Sequence, residues 1–105
     1  MIEHILTEKE LDMVVGSDIP TISVYYKDSC PLCKVYINKL KKYDCYFYLL
    51  NVTEHPDLFR KYRMSMFLPE TRLYKNGDLL YIQSGVLYKK QLNEVFNLIK
   101  ENTDG

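Results

Sequence analysis

Short continuous apolar runs alternate along this chain with stretches in which apolar residues recur every three or four positions. Ile2 to Leu6 is a brief apolar start. Thr7-Glu-Lys-Glu10 follows with the pattern of a capping box, in which the Thr7 hydroxyl satisfies a free amide and Glu10 reaches back to another. The helix it opens is expected to run to about Gly16, whose missing Cβ suits a helix end. Pro20 then admits a strand from Thr21 to Lys27. A second helix starts at Pro31, since the preset angle and absent N–H of proline fit the first helical position. Cys33, Tyr36, Ile37, Leu40 and Tyr43 share one face of it, while Lys34, Asn38, Lys39, Lys41 and Lys42 take the other, a wet face.

Tyr46 to Leu50 is continuously apolar and aromatic, as a strand covered on both sides should be. A short helix is expected over Pro56 to Arg63. Thr71 to Lys75, Asn76-Gly77 and Asp78 to Gln83 read as a hairpin, because Asn-Gly tolerates the positive φ values of a tight turn. Leu92, Val95, Phe96 and Ile99 mark one face of a last helix. The order is β-α-β-α-β-α-β-β-α, an α/β arrangement with a mixed central sheet flanked by helices. Strands joined through helices are expected to pair in parallel by right-handed crossovers, with an antiparallel hairpin at the edge.

The chemistry-bearing feature is Cys30-Pro-Leu-Cys33, set directly after the apolar run Ile22, Val24, Tyr25, Tyr26 and directly before a helical pattern. A C-x-x-C at such a junction points to reversible thiol–disulfide exchange. Its spacing lets both sulfurs occupy the first turn of one helix, close enough to bond and to come apart again. A metal reading is open to Cys30, Cys33, Cys45 and His55, nominally three sulfurs and one nitrogen. It is weakened because Cys45 falls at the mouth of a strand and no second close-spaced pair exists, so neither metal nor cofactor is expected. Cys45 alone reads as a semi-buried small residue, and His4 and His55 as surface or capping residues.

Composition narrows the field. The 105 residues fit one domain, 1–105, and the 14 basic and 14 acidic side chains cancel, so no field exists to hold nucleic acid. Nothing approaches the roughly 20 apolar residues of a membrane span. The opening Met-Ile-Glu-His has no basic segment leading into an apolar stretch, so no signal peptide is expected. The expected address is the cytoplasm, where thiols stay reduced, and the odd cysteine count speaks against a disulfide framework.

Three anchors now coincide. Pro69 and Gly85 stand eight positions before and after Gly77, and Cys30-Pro-Leu-Cys33 follows the second strand. In this register the chain resembles the thioredoxin-like superfamily over nearly its whole length. The resemblance implies that Pro69 is a cis-proline opposite the cysteine pair, shaping the substrate groove and keeping metal from the sulfurs. It also implies that the backbone of Leu68 is left free to pair with an extended peptide. Pro31-Leu32 departs from the Gly-Pro usual in thioredoxins and is nearer the Pro-Tyr of glutaredoxins, and Lys27 matches a glutaredoxin position that contacts glutathione. Thioredoxins place a buried aspartate six residues before the first cysteine, where this chain has Val24, and a tryptophan just before it, where this chain has Ser29. The glutaredoxin Gly-Gly-x-x-Asp signature is absent. The later half is thus thioredoxin-like and the motif glutaredoxin-like.

The expected activity is that of an enzyme reducing protein disulfides. Cys30, at a helix N-terminus that favours negative charge, is the nucleophile, and Cys33 resolves the mixed disulfide. Leu68, Pro69, Lys27, Pro31 and Leu32 are the expected substrate-binding residues. The resemblance implies electrons from thioredoxin reductase or from glutathione, protein disulfides as clients with ribonucleotide reductase a usual one, and a monomer. Two alternatives stay open: a glutaredoxin-type reductase of glutathione mixed disulfides, and a non-catalytic binding subunit that uses the fold as a rigid module.

Overall fold

The structure, a computed structural model, describes residues 1–62 and 67–103. Among these the elements follow the expected order: β1 (Ile2–His4), α1 (Glu8–Gly16), β2 (Thr21–Tyr26), α2 (Pro31–Leu40), β3 (Phe47–Asn51), α3 (Pro56–Tyr62), β4 (Glu70–Lys75), β5 (Asp78–Ser84) and α4 (Lys89–Glu101). The sheet runs β1-β3-β2-β4-β5. Arg63, the expected end of α3, lies outside the described residues.

Successive strand residues point to opposite faces, and this period of two sorts the core into two layers. On one face Ile22 and Val24 of β2, Phe47 and Leu49 of β3 and Leu73 of β4 pack against Tyr36 and Leu40 of α2 and Leu92 and Val95 of α4. On the other, Tyr25, Leu50 and Tyr74 meet Leu11, Val14 and Val15 of α1 and Phe59 of α3. Each buried Val, Leu, Ile or Phe side chain among these contributes up to about 1.5–3 kcal/mol over its exposed state. No helix among the described residues is long and apolar enough to cross a membrane.

One expectation about pairing needs correction. β1 and β2 both pair with β3 in parallel, but β4, although reached through a helix, pairs with β2 antiparallel. The register explains it: Glu70, the first residue of β4, stands opposite Tyr25, near the end of β2. The chain thus re-enters the sheet at the end where β3 left it. Seven residues of α3 rise only about 10 Å, half the roughly 20 Å of a six-residue strand such as β2. The hairpin to β5 is antiparallel as expected, with Asn76 at φ 52° and Gly77 at φ 84° in its turn.

Smaller corrections have local causes. The Thr7 hydroxyl accepts from Glu10 N at 3.1 Å, but it also donates to the Glu10 carboxylate at 3.0 Å, so that carboxylate is turned toward the hydroxyl. Tyr46 lies outside β3 and is half exposed, stacked on the ring of Tyr48. Lys39 is not part of the wet face of α2. Its ammonium donates to the Leu87 carbonyl at 2.9 Å and lies 5.2 Å from the centre of the Tyr88 ring, which ties α2 to the segment before α4.

Candidate active site

β2 ends at Tyr26, and a three-residue loop delivers Cys30 to the N-cap of α2. The Cys30 amide donates back to the Lys27 carbonyl at 3.2 Å, which tightens this loop. Pro31 opens the helix, with no N–H to leave unpaired. The two sulfurs are bonded as a disulfide, with Cα atoms 5.3 Å apart. The Cys33 amide donates to Cys30 Sγ at 3.1 Å. In most helices a Ser or Asp oxygen accepts at this cap position; here a sulfur does. Once the bond is reduced, the same N–H and the dipole of α2 favour the charged sulfur at Cys30. Cys30 keeps 8% of its surface exposed and Cys33 none, so the outer sulfur is the one a substrate can reach.

The other wall comes from the segment before β4. The Leu68–Pro69 bond is cis, and the Leu68 carbonyl oxygen lies 3.9 Å from Cys30 Sγ. The Pro69 carbonyl accepts from Gly85 N at 2.7 Å, and Gly85 sits at φ 91°, a region that glycine enters without strain. That bond fastens the proline segment to the end of β5. The fold therefore brings Cys30, Cys33, Leu68 and Pro69 into one place from the start of α2 and the segment before β4. Pro31 and Leu32 are exposed beside them, Leu32 at 61%. Lys27 enters through its main chain, and its side chain is exposed to solvent.

In β2, Val24 is fully buried. Directly across from it stands Thr71, whose hydroxyl shares a 2.7 Å hydrogen bond with Tyr36. Burial drives the Tyr36 hydroxyl well above the ordinary range, against the opposing effect of its bond to Thr71, so it stays neutral. The four-ligand metal reading does not assemble. Cys45 precedes β3, at the end of the sheet opposite the one from which β2 delivers Cys30, and the chain's N-terminal ammonium donates to its carbonyl. A cleft of about 330 Å³ lined by Glu3, His4, Thr21 and Tyr48 also lies toward that far end. Cys30 keeps a little exposed surface beside the exposed Pro31 and Leu32, while Cys33 is fully covered.

Sequence reasoning missed three groups here. Phe67, two residues before Pro69, is an apolar side chain 70% exposed. Glu70 and Arg72 form a buried ion pair at 3.1 Å immediately after Pro69. Opposite charges two apart on a strand share a face, and that spacing was a usable signal. Asn51, buried at the end of β3, donates to Asp28 at 2.9 Å. Its clue was an Asn opening the turn Asn-Val-Thr, where it accepts from Thr53 N at 2.9 Å.

No family model matches the sequence. Solved structures similar to it include the thioredoxin of Malassezia sympodialis, 18% identical, with a TM-score of 0.81 over 94% of this chain and 91% of that one. A mutant thioredoxin from Halobacterium salinarum NRC-1 is 21% identical, with a TM-score of 0.74 over 99% of this chain and 92% of that one. The chain has the thioredoxin fold.

Proposed function

We propose that this protein is a dithiol–disulfide oxidoreductase that reduces disulfides in extended polypeptides. The observation that supports this most directly is the Cys33 amide directed at Cys30 Sγ at 3.1 Å, in a pair of which Cys30 alone keeps any exposed surface. An ordinary thiol, with pKa about 8.5, is mostly protonated at neutral pH, and a helix N-cap brings it into the range of about 3.5–7.5.

In the reaction, Cys30 as thiolate attacks one sulfur of the substrate disulfide. The substrate S–S bond breaks, and its other sulfur leaves as a thiolate that takes a proton. Cys33 then gives up its proton and attacks Cys30 Sγ. The bond between Cys30 and the substrate breaks, and the second substrate sulfur leaves. Two electrons pass to the substrate, and the protons lost by the dithiol balance those gained by the released thiols. Val24 supplies no carboxylate behind Cys33, so water or the departing thiolate takes the proton from Cys33. Leu68 offers backbone to a bound strand, and Leu32 and Phe67 offer apolar contact on either side.

A flavoprotein reductase or glutathione returns the two electrons. A glutathione-linked reaction is favoured by one observation, the exposed Lys27 ammonium three residues before Cys30, available to a carboxylate. Insulin reduction driven by dithiothreitol tests the main reading: the protein accelerates it, and Cys30→Ser abolishes the acceleration. Equal rates for the two proteins would overturn the reading and favour the binding-module alternative. Turnover with thioredoxin reductase, set against a glutathione-coupled assay, separates the two donors.

A further inference from the structure

We infer that Asn51 is a positioning residue for Cys30, acting through Asp28; the inference rests on the redox reading above. Asn51 ends β3, on the neighbouring strand to the one that delivers the cysteine, and its side chain is buried. Its carbonyl oxygen accepts from Thr53 N at 2.9 Å and Glu54 N at 3.4 Å, while its own backbone carbonyl accepts from His55 N at 2.9 Å. Val52 N donates to the Tyr26 carbonyl at 2.7 Å. The turn after β3 is thus fastened both to itself and to the last residue of β2.

That turn grips the cysteine loop at one residue. Asn51 Nδ2 donates to the Asp28 carboxylate at 2.9 Å, and the Asp28 amide donates to Thr53 Oγ1 at 3.2 Å. One bond holds the side chain of Asp28 and the other its backbone, so both its position and its orientation are set. Asp28 stands two residues before Cys30, inside the loop closed by the Cys30 amide on the Lys27 carbonyl. The bond from Cys33 N to Cys30 Sγ depends on the cap geometry of Cys30, φ −104° and ψ 102°. A loop released from Asp28 samples other cap geometries, and the sulfur loses part of its donor.

A turn that served only stability would leave the ionisation of Cys30 unchanged, so ionisation is the readout. The fully reduced protein is alkylated with iodoacetamide across a pH series, and modification at Cys30 is followed by peptide mass spectrometry. Asn51→Ala is expected to move the midpoint of the profile upward and to slow alkylation at neutral pH about three- to tenfold, the range set by one weakened hydrogen bond. Thr53→Val moves it the same way by less. Asn51→Asp combined with Asp28→Asn reverses donor and acceptor at constant net charge and restores the wild-type profile.

If folded Asn51→Ala superimposes on the wild type, the inference is wrong. If that variant does not fold, as judged by circular dichroism, Thr53→Val decides by the same criterion. A wild-type midpoint at the ordinary cysteine value of about 8.5 would count against the redox reading. Whether Asn51→Ala moves that midpoint still decides the positioning role.

Discussion

The hydroxyls of Tyr36 and Thr71 lie 2.7 Å apart in the dry interior between α2 and β4, one helical turn beyond Cys33 and directly across from Val24. Each satisfies the other where no solvent enters. Tyr36→Phe is therefore expected to cost about 1–3 kcal/mol, the penalty for a buried hydroxyl left without its partner. Adding Thr71→Val removes the orphaned group, so the double variant should lose less than the two single losses summed. Denaturant titration of the four proteins checks this, and strict additivity would mean that the pair is not coupled.

The same pair shows where sequence reading reached and where it stopped. Tyr36 was legible as a core residue, because it falls on the helix face that carries Cys33 and Leu40. That its hydroxyl would need a partner was also legible. Which partner was not, since Thr71 arrives from a strand whose direction the order of elements leaves undetermined. A helix between two strands signals a parallel crossover only if it runs back along the sheet, and α3 is too short for that. The cysteine pair and the Asn76–Gly77 turn were readable because local chemistry fixes each of them, whereas Pro69 was readable only through the resemblance. Asn51 and Lys39 act through groups distant in sequence, Asp28 and Leu87, and local pattern does not name those partners.

Glu70 and Arg72 are buried together, Arg72 Nε donating to Glu70 Oε1 at 3.1 Å and its guanidinium lying 4.0 Å from the centre of the Tyr25 ring. Glu70 Oε2 has no hydrogen-bond partner among the described residues. Arg72→Met strands a charged carboxylate in the interior, and a loss of about 3–5 kcal/mol is expected. Glu70→Met added to it removes that charge and should recover most of the loss, because apolar replacements of buried ion pairs are often neutral. Equilibrium unfolding in urea measures both. A double variant no more stable than Arg72→Met would show that the pair contributes packing rather than charge balance.

The difference in exposure between the two sulfurs predicts distinct behaviour on substitution. Cys33→Ser keeps the outer sulfur but cannot release the mixed disulfide, so it should accumulate protein adducts that survive non-reducing electrophoresis and vanish with dithiothreitol. Cys30→Ser leaves the pair with only the fully buried Cys33, and little or nothing should be trapped at the site. Equal trapping by the two variants would reverse the order of attack given above.

Alkaline stability follows from the buried tyrosines. Burial, partly offset by the nearby Arg72 charge, raises the Tyr25 hydroxyl to about 12, and burial raises Tyr36 as well. Both folded values lie above the ordinary tyrosine value of about 10. A group raised in the folded state contributes stability that is complete below its unfolded pKa and is lost as pH rises through the folded one. Stability should therefore hold up to about pH 10 and decline above it, as the unfolded chain ionises hydroxyls that the folded chain keeps protonated. Phenolate absorbance during a pH titration checks this directly. Of the ten tyrosines, Tyr25 and Tyr36 are expected to ionise late, together with unfolding. In Tyr36→Phe the late step should shrink by one phenolate. A late step of unchanged size would mean that Tyr36 ionises with the surface groups, so that its site is open to water.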